Sequence, residues 1–457
     1  MDTWRTPFLF FLLILGFQIS YCQSLDVSDT QRYLVREDGT PFFYLGDTAW
    51  ELFHRLSAEE AEKYLRNRAA KGFTVIQAVV LAQLGGLAAP NANGDLPLEF
   101  GDPTKPIEAY FEHVDSIVRM ANDLGLFIGM LPTWGSYWSQ TNGNNAIFTT
   151  ESAYTFGKYV GQRYKEDQVI WILGGDENIQ TSKERALIEA MAKGIQEGDG
   201  GKHLMTFHPR GPGRSSDYFH TAEWLDFHMY QSSHGSRDHD NGLFAEHDYQ
   251  LPNPKPTLDG EPRYELIPVG FYFKEASPSR LFDDYDTRQA AYWSILAGAC
   301  GHTYGHNSIW QMYSPDKEPV IGAIVPWNWA LDNPGAFQMG HLRKLFEKRP
   351  FHKLIPNTSI LLGGPTSGGA KIRVAVAEDS SFAIVYSPRG APFTIEQNVI
   401  KGTKLKAIWY DPRYGIPHPT HTGNTHAIQT YTPPSKGRGN DWILILEDAE
   451  AGFELPY

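Results

Sequence analysis

Short apolar runs alternate with segments of helical periodicity along the first three quarters of the chain. Eight of these runs have the length and the β-branched or aromatic content of strands covered on both faces. They lie at residues 41–46, 73–81, 126–131, 169–173, 203–207, 225–230, 255–259 and 301–305. The main helical segments lie at residues 57–71, 106–124, 154–164, 183–196 and 288–299. Eight strands alternating with helices over about 280 residues predict a (β/α)8 TIM barrel.

A doubly wound α/β sheet is the competing architecture. Such a sheet is expected to carry a glycine-rich phosphate loop after its first strand. The sequence at that point is Leu45-Gly46-Asp47-Thr48-Ala49, which is not such a loop. The barrel is therefore the predicted fold.

The pattern changes after Pro350, where short β-rich runs are separated by Gly, Pro, Asp and Asn. These runs lie at residues 358–362, 371–377, 382–387, 393–396, 405–410, 426–431 and 442–446. They predict a small antiparallel β-sandwich. The link at residues 343–354 is short and charged and has no Gly/Ser-rich spacer, so we expect the two domains to be docked. The predicted organisation is a barrel at 24–350 and a sandwich at 351–457.

Residues 1–23 have the features of a secretory signal peptide. Arg5 precedes an apolar run at residues 8–17, which is too short to span a bilayer. Lipid attachment at Cys22 is the alternative, although the preceding Tyr21 is bulky where a small residue is usual. We expect export to the periplasm or the extracellular space, with Cys300 as the remaining cysteine and no internal disulfide.

The formal net charge of −13 argues against a nucleic-acid partner, because phosphate binding requires clustered Lys and Arg. Several of the 16 histidines fall between His203 and His247, but their spacing is irregular. No His-Glu-x-x-His, Cys-x-x-Cys or calcium-loop motif is present, so we predict neither a metal nor another cofactor. A Gly-x-Ser-x-Gly elbow after a strand is also missing, which disfavours a serine hydrolase.

Two predicted strands end in carboxylates. Residues 169–178 (VIWILGGDEN) bring Asp176 to the end of the fourth strand, and residues 257–261 (TLDGE) bring Glu261 to the end of the seventh. The carboxyl ends of barrel strands share one rim. Glycoside hydrolysis requires two carboxyls on either side of the scissile bond, one protonated and one ionised. The structural alternatives are that Asp176 caps the following helix and that Glu261 pairs with Arg263.

The other predicted strand ends also carry polar and aromatic side chains, among them Gln83 and Gln231, and such a lining suits a polyhydroxylated ligand. Arg210 would suit a uronic carboxylate through bidentate hydrogen bonds, and the alternative is a surface arginine without a partner. The candidate substrate-binding residues are Asp47, Trp50, Gln77, Trp134, Asn178, His208, Arg210, His228, Tyr230, Tyr264, His306 and Trp310.

The runs WILGGDEN, LDGEPRYE and FFYLGDTAWELFHRL resemble the apiosidase-type glycoside hydrolases of family 140, and the resemblance covers nearly the whole mature chain. It implies a retaining barrel enzyme, followed by a small sandwich labelled as collagen-binding, that cleaves apiose from galacturonic acid in pectic rhamnogalacturonan-II. On the matching positions Asp176 would be the acid/base and Glu261 the nucleophile. Many barrel glycosidases have Asn-Glu where this chain has Gly175-Asp176, which leaves Glu177 as the alternative acid/base.

Two classes of function remain. The first is an exported glycoside hydrolase that acts on a plant cell-wall polysaccharide, either at the apiose linkage or at another sugar. The second is a non-catalytic carbohydrate-binding or adhesion protein on the barrel scaffold. The pair of carboxylates favours the hydrolase.

Overall fold

The computed structural model describes residues 24–141, 146–277, 279–424 and 427–456, so the predicted signal peptide and Cys22 lie outside the described residues. The strands are β1 (Leu25–Val27), β2 (Leu34–Arg36), β3 (Pro41–Phe42), β4 (Tyr44–Thr48), β5 (Val75–Leu81), β6 (Phe127–Thr133), β7 (Val169–Gly174), β8 (Met205–His208), β9 (Gly213–Arg214), β10 (His228–Gln231), β11 (Thr257–Asp259), β12 (Gly301–Tyr304), β13 (Leu354–Pro356), β14 (Leu361–Gly363), β15 (Arg373–Ala377), β16 (Phe382–Ser387), β17 (Phe393–Glu396), β18 (Lys404–Asp411), β19 (Ile416–Asn424), β20 (Ile428–Tyr431) and β21 (Trp442–Asp448).

The helices, in the same described ranges, are α1 (Leu52–Arg55), α2 (Ala58–Ala70), α3 (Glu108–Asp123), α4 (Thr150–Arg163), α5 (Ser182–Asp199), α6 (Ser216–Phe219), α7 (Gly242–Tyr249), α8 (Asp284–Ile295), α9 (Asn307–Trp310), α10 (Trp327–Ala330) and α11 (Pro334–Glu347). Among the described residues, none of these helices combines the length and the apolar character needed to cross a membrane.

Eight parallel strands of the described residues form the barrel, in the order β8-β7-β6-β5-β4-β12-β11-β10, with the short antiparallel β9 beside β10. The barrel closes next to β8. The backbone nitrogen of Asp226 donates to the carbonyl oxygen of Met205 at 2.9 Å, and the hydroxyl of Thr206 donates to the carbonyl oxygen of Phe227 at 2.6 Å. The predicted (β/α)8 fold is confirmed.

β7 is a barrel strand with an uninterrupted apolar sequence. The strand is buried along its whole length. Ile170 and Ile172 pack with the side chains that fill the barrel interior, whereas Trp171 and Leu173 belong to the core between the barrel and its helices. Because both faces of β7 are covered, both carry apolar side chains, and polar residues begin only where this strand ends.

The predicted helices are all present, with ends within four residues of the predicted ones, but α8 is shifted as a whole. The sequence predicted residues 288–299, and the helix spans Asp284–Ile295. The Asp283 side chain accepts from the backbone nitrogen of Asp286, and the Asp286 side chain accepts from the backbone nitrogen of Asp283. This reciprocal cap uses Asp where Glu or Gln is usual, so the sequence pattern concealed the helix start.

The C-terminal region forms two antiparallel sheets, β13-β15-β16-β21-β18-β19 and β14-β17-β20. β19 was not predicted, because its sequence IPHPTHTGN contains two prolines. Proline cannot donate to a strand ladder and is therefore found on edge strands. β19 is the edge of its sheet, where the missing donors cost little.

The sandwich is docked on the barrel, as the short link predicted. Arg288 of α8 forms a buried bidentate pair with Asp441, with distances of 2.6 and 3.0 Å. Next to this pair, the rings of Tyr292 and Tyr386 stack with centroids 5.0 Å apart. Apolar side chains from both domains belong to one continuous core. The barrel and sandwich therefore share buried surface, and the sandwich is not a tethered module.

Candidate active site

A cavity of about 440 Å³ opens at the carboxyl end of the barrel, where the loops that follow the strands converge. Asp176, which follows β7, and Glu261, which follows β11, both line it. A cavity of this volume accommodates a small ligand or a few sugar rings. The two carboxylates that the sequence placed on one rim therefore meet in one site.

The backbone after β7 turns sharply to bring Asp176 into this cavity. Gly174, Gly175 and Asp176 all have positive φ, at 96°, 84° and 61°. A Cβ on Gly174 would lie 2.3 Å from the carbonyl oxygen of His208, so no larger residue fits there. An aspartate in the left-handed region is held there by its surroundings, and such positions are common at functional sites.

The environment of Asp176 favours its protonated form. Burial among the surrounding protein raises the pKa of this carboxyl well above its ordinary value, and the negative charge of Glu261 raises it further. The guanidinium of Arg210 opposes this shift only in part. Asp176 thus keeps its proton at a pH where an ordinary aspartate has lost it.

The environment of Glu261 has the opposite effect. Its Oε1 atom lies 3.0 Å from Nε2 of His234, and its Oε2 atom lies 3.3 Å from Nε2 of His208. Burial alone would raise the pKa of Glu261, but the two histidines outweigh it and lower the pKa to about 2. One cavity therefore holds an acid that retains its proton and a carboxylate that is ionised, which is the pairing that acid/base chemistry uses.

His208 contacts the backbone of Asp176 and the carboxylate of Glu261. Its Nδ1 atom accepts a hydrogen bond from the backbone nitrogen of Asp176 at 3.3 Å. Because Nδ1 is the acceptor, the ring proton of a neutral imidazole sits on Nε2, which faces Glu261. His208 is fully buried and is not part of the cavity wall, so instead of the predicted contact with substrate it contacts the Asp176 backbone and the Glu261 carboxylate.

Glu177, the alternative acid/base, does not line the cavity. It is 8% exposed, and its Oε2 atom lies 4.0 Å from Nη1 of Arg210. Its side chain packs against Gly135, where a Cβ would lie 2.5 Å from Cγ of Glu177. The other alternative, a pair between Glu261 and Arg263, is not formed either, because Arg263 donates to Oε1 of Gln289 at 3.0 Å.

Five of the predicted substrate-binding residues belong to the cavity wall: Trp50, Trp134, Arg210, Tyr264 and Trp310. The rings of Trp50 and Trp134 lie side by side with centroids 5.6 Å apart, and Trp50 also meets the ring of His208 at 5.4 Å. The wall thus offers flat apolar faces close to the carboxyl groups, as sugar rings require.

Two other predicted residues lie within the barrel strands and not at the cavity. Asp47 points away from the barrel axis toward α2, where its carboxylate pairs with Arg68 at 2.6 Å. Gln77 points into the barrel but lies deeper than the cavity, where its amide donates to the carbonyl oxygen of Gly260 at 3.0 Å. Both predictions were wrong because being near a strand end does not settle which way a side chain points or how deep it lies.

The sixth strand was predicted three residues too early, which misplaced two further candidates. β10 begins at His228, so this residue lies at the opposite end of the strand, 3.1 Å from His220. Tyr230 points toward α8, with its hydroxyl 2.6 Å from Oγ of Ser294. Gln231, at the true strand end, lines the cavity.

Asn178 and His306 have structural roles near the site. Asn178 accepts from the backbone nitrogen of Arg210 at 3.0 Å and donates to its carbonyl oxygen at 3.3 Å, so it holds the loop that carries this arginine. His306 caps α9 through Nδ1, which accepts from the backbone nitrogen of Ser308 at 3.0 Å. Neither residue lines the cavity.

Several wall residues were not predicted, because they lie on loops without periodicity. The polar ones are Ser233 and His234, just after β10, and the apolar or aromatic ones are Ile267, Phe271, Tyr272, Val320 and Ile321. With the correct end of β10, the rule that polar residues follow strand ends would have identified Ser233 and His234. Among the described residues, no cluster of three or more His, Cys, Asp or Glu side chains has the arrangement of a metal site.

A closed parallel barrel with two carboxyl groups at its carboxyl face is the arrangement that glycoside hydrolases use. Residues 28–353 match the family model described as "Apiosidase-like, catalytic domain", and residues 355–447 match "Putative collagen-binding domain of a collagenase". The chain therefore belongs to the apiosidase-like family.

Solved structures at 35% and 32% identity place the chain among glycoside hydrolases. One, titled "Glycoside hydrolase", is 35% identical with a TM-score of 0.86, over 94% of this chain and 98% of that chain. Another, a glycoside hydrolase family 5 protein from Bacteroides vulgatus ATCC 8482, is 32% identical with a TM-score of 0.85, over 94% of each chain. No curated protein matches the sequence.

Proposed function

We propose that this protein is a retaining apiosidase of glycoside hydrolase family 140 that cleaves apiose from galacturonic acid in pectic rhamnogalacturonan-II. Asp176 acts as the acid/base and Glu261 as the nucleophile. The observation that carries the assignment of roles is that burial and charge raise the pKa of Asp176 while two histidines lower that of Glu261 to about 2, within one cavity.

In the first step the ionised Glu261 attacks the anomeric carbon, and Asp176 donates its proton to the oxygen of the leaving sugar. The glycosidic bond breaks and an ester forms between the sugar and Glu261. His208 and His234 hold the two carboxylate oxygens of Glu261 before the attack, which keeps the nucleophile ionised and oriented.

In the second step Asp176 accepts a proton from water, and the water oxygen attacks the anomeric carbon and releases Glu261. Esterification has meanwhile removed the negative charge of Glu261. Since that charge is one of the causes that raise the pKa of Asp176, its loss lowers this pKa. The same carboxyl therefore becomes a better base at the step that requires one.

Arg210 supports a substrate that carries a uronic acid. Its side chain is 53% exposed and lines the cavity, and Asn178 holds its backbone in place. A guanidinium binds a carboxylate through two parallel hydrogen bonds, which a neutral sugar cannot offer. Galacturonic acid on the leaving side of the scissile bond would supply that carboxylate.

The predicted export fits a substrate located in the plant cell wall. Residues 1–23 carry the signal-peptide pattern, and an enzyme that acts on pectin must reach it outside the cell that makes the enzyme.

Incubation with rhamnogalacturonan-II, its oligosaccharides and a panel of aryl glycosides, followed by product analysis, tests the proposal. We expect release of free apiose, and we expect Arg210→Met to weaken turnover of the galacturonate-containing substrate much more than turnover of an aryl apioside. Release of a different sugar would assign the enzyme to another polysaccharide. No release from any substrate, with retained polysaccharide binding, would favour a non-catalytic binding protein.

A further inference from the structure

Three consecutive aromatic residues, Phe271, Tyr272 and Phe273, form a turn in the loop that follows β11; we call it the aromatic turn. Phe271 and Tyr272 line the cavity. Exposure increases outward along the turn, since Phe271 is half-buried, Tyr272 is 47% exposed and Phe273 is 55% exposed. Large aromatic side chains left in contact with water at the mouth of a cavity indicate a surface that meets a ligand.

The rings of the turn form a row that starts at the nucleophile. His234, which lies 3.0 Å from Glu261, has its ring centroid 5.9 Å from that of Phe271. The next centroids along the row, Phe271 to Tyr272 and Tyr272 to Phe273, are 5.0 and 4.7 Å apart. The row therefore leads continuously from the reacting centre to the surface.

The backbone and side chains of its neighbours hold the aromatic turn in place. The backbone nitrogen of Gly270 donates to the carbonyl oxygen of His234 at 2.7 Å, and that of Phe273 donates to the carbonyl oxygen of Gly270 at 2.7 Å. The hydroxyl of Tyr272 lies 3.0 Å from Oγ of Ser233. The backbone of the turn and the ring of Tyr272, fixed in this way, lose little further freedom when a ligand binds, which favours affinity.

We propose that the aromatic turn is a binding subsite for the sugar units that flank the reacting sugar in a polysaccharide. The C–H faces of a sugar ring are apolar and pack on the face of an aromatic ring, while the Tyr272 hydroxyl offers a hydrogen bond to a sugar hydroxyl. The continuity of the row with the catalytic cavity makes a glycan chain its occupant. The inference rests on the proposed function for the identity of the sugars and adds the site that holds them.

Kinetics on two substrates test the subsite. We compare kcat/KM for a galacturonate-containing oligosaccharide of rhamnogalacturonan-II with kcat/KM for p-nitrophenyl apioside, which has no flanking sugar. For Phe273→Ala we expect the ratio of the two constants to fall roughly 5- to 20-fold. Tyr414→Ala is the matched control, because Tyr414 is 66% exposed but lies on the sandwich, and it should leave the ratio unchanged. An unchanged ratio in Phe273→Ala overturns the proposal.

A binding measurement separates the subsite from the identity of the substrate. Affinity electrophoresis of inactive Glu261→Gln protein uses gels that contain homogalacturonan, rhamnogalacturonan-II or mannan. We expect retardation by a pectic polysaccharide, and loss of retardation when Phe273→Ala is added. Retardation by mannan alone, lost in the same way, would uphold the subsite and overturn the pectic substrate. If no polysaccharide retards the protein, or if Phe273→Ala has no effect, the subsite is wrong.

Discussion

The Nε2 atom of His234 lies 3.0 Å from Oε1 of Glu261, although the two residues follow different strands, β10 and β11. This contact and that of His208 reverse the effect of burial on the Glu261 carboxyl and lower its pKa to about 2. The pKa of the neighbouring Asp176 is raised. The two histidines therefore help to give the two carboxyl groups different protonation states, one suited to an acid and one to a nucleophile.

Removal of His234 should shift the acid limb of the pH–rate profile. The imidazole stabilises the ionised form of Glu261, so its loss raises the pKa of that carboxyl from about 2. A hydrogen bond to a charged group contributes about 1.5 to 3 kcal/mol, which corresponds to an upward shift of roughly 1 to 2 pH units in kcat/KM. His234→Gln keeps a donor and should shift the limb less than His234→Ala.

The control for this experiment is His247→Ala, because His247 lies on α7 with a 41% exposed side chain. The His247→Ala variant should leave the acid limb of the pH–rate profile unchanged. A His234→Ala profile that is lower at every pH, without a shift, would mean that the histidine only shapes the cavity.

The two carboxyl groups should respond differently to amide substitution. Glu261→Gln should abolish turnover of every substrate, because the covalent step has no substitute nucleophile. Asp176→Asn should lower kcat/KM for the natural linkage by roughly 100-fold or more and spare kcat/KM for aryl glycosides, because this constant reports the first step and their leaving group requires no proton. We compare the variants by steady-state kinetics on the natural linkage and on aryl glycosides, with Glu177→Gln as the control at the neighbouring position. If Glu177→Gln shows the selective loss instead, the acid/base is Glu177.

The sequence predicted the barrel and the carboxylate pair because both depend on local patterns. The apolar run of β7 ends abruptly at Gly174 and Gly175, and this change from apolar to charged residues marks a strand end whatever the rest of the chain does. The rule that functional side chains follow strand ends also identified Trp50, Trp134 and Trp310, which lie in the cavity wall.

The misplaced residues show what local patterns do not contain. The predicted sixth strand began three residues early and ended one residue early, which turned His228 and Tyr230 into candidates and hid His234. Asp47 follows the strand pattern, yet its partner Arg68 comes from α2, and only the packed structure brings them together. The aromatic turn lies on a loop that a hydrogen bond from Gly270 to His234 helps to hold, and no periodicity predicts such a bond.

The buried pair between Arg288 and Asp441 should stabilise the docked domains. Asp441→Asn leaves Arg288 with a buried charge whose main partner is gone, which typically costs about 3 to 5 kcal/mol of the free energy of unfolding. The exposed pair between Arg389 and Asp238, 2.9 Å apart, lies across the same interface, so Asp238→Asn should cost less than about 1 kcal/mol. Urea unfolding of both variants measures the difference, and equal losses would contradict a stabilising role for the buried pair.

Trapping of the covalent intermediate tests most directly whether Asp176 and Glu261 form a retaining pair. A 2-deoxy-2-fluoro apioside with a good leaving group should add one glycosyl unit to the protein, and peptide mass spectrometry should locate it on Glu261. The Glu261→Gln variant should not be labelled, and ¹H NMR of the first product formed from an ordinary substrate should show the anomeric configuration of that substrate. A label on Asp176 or Glu177, or a first product of inverted configuration, would contradict the assignment.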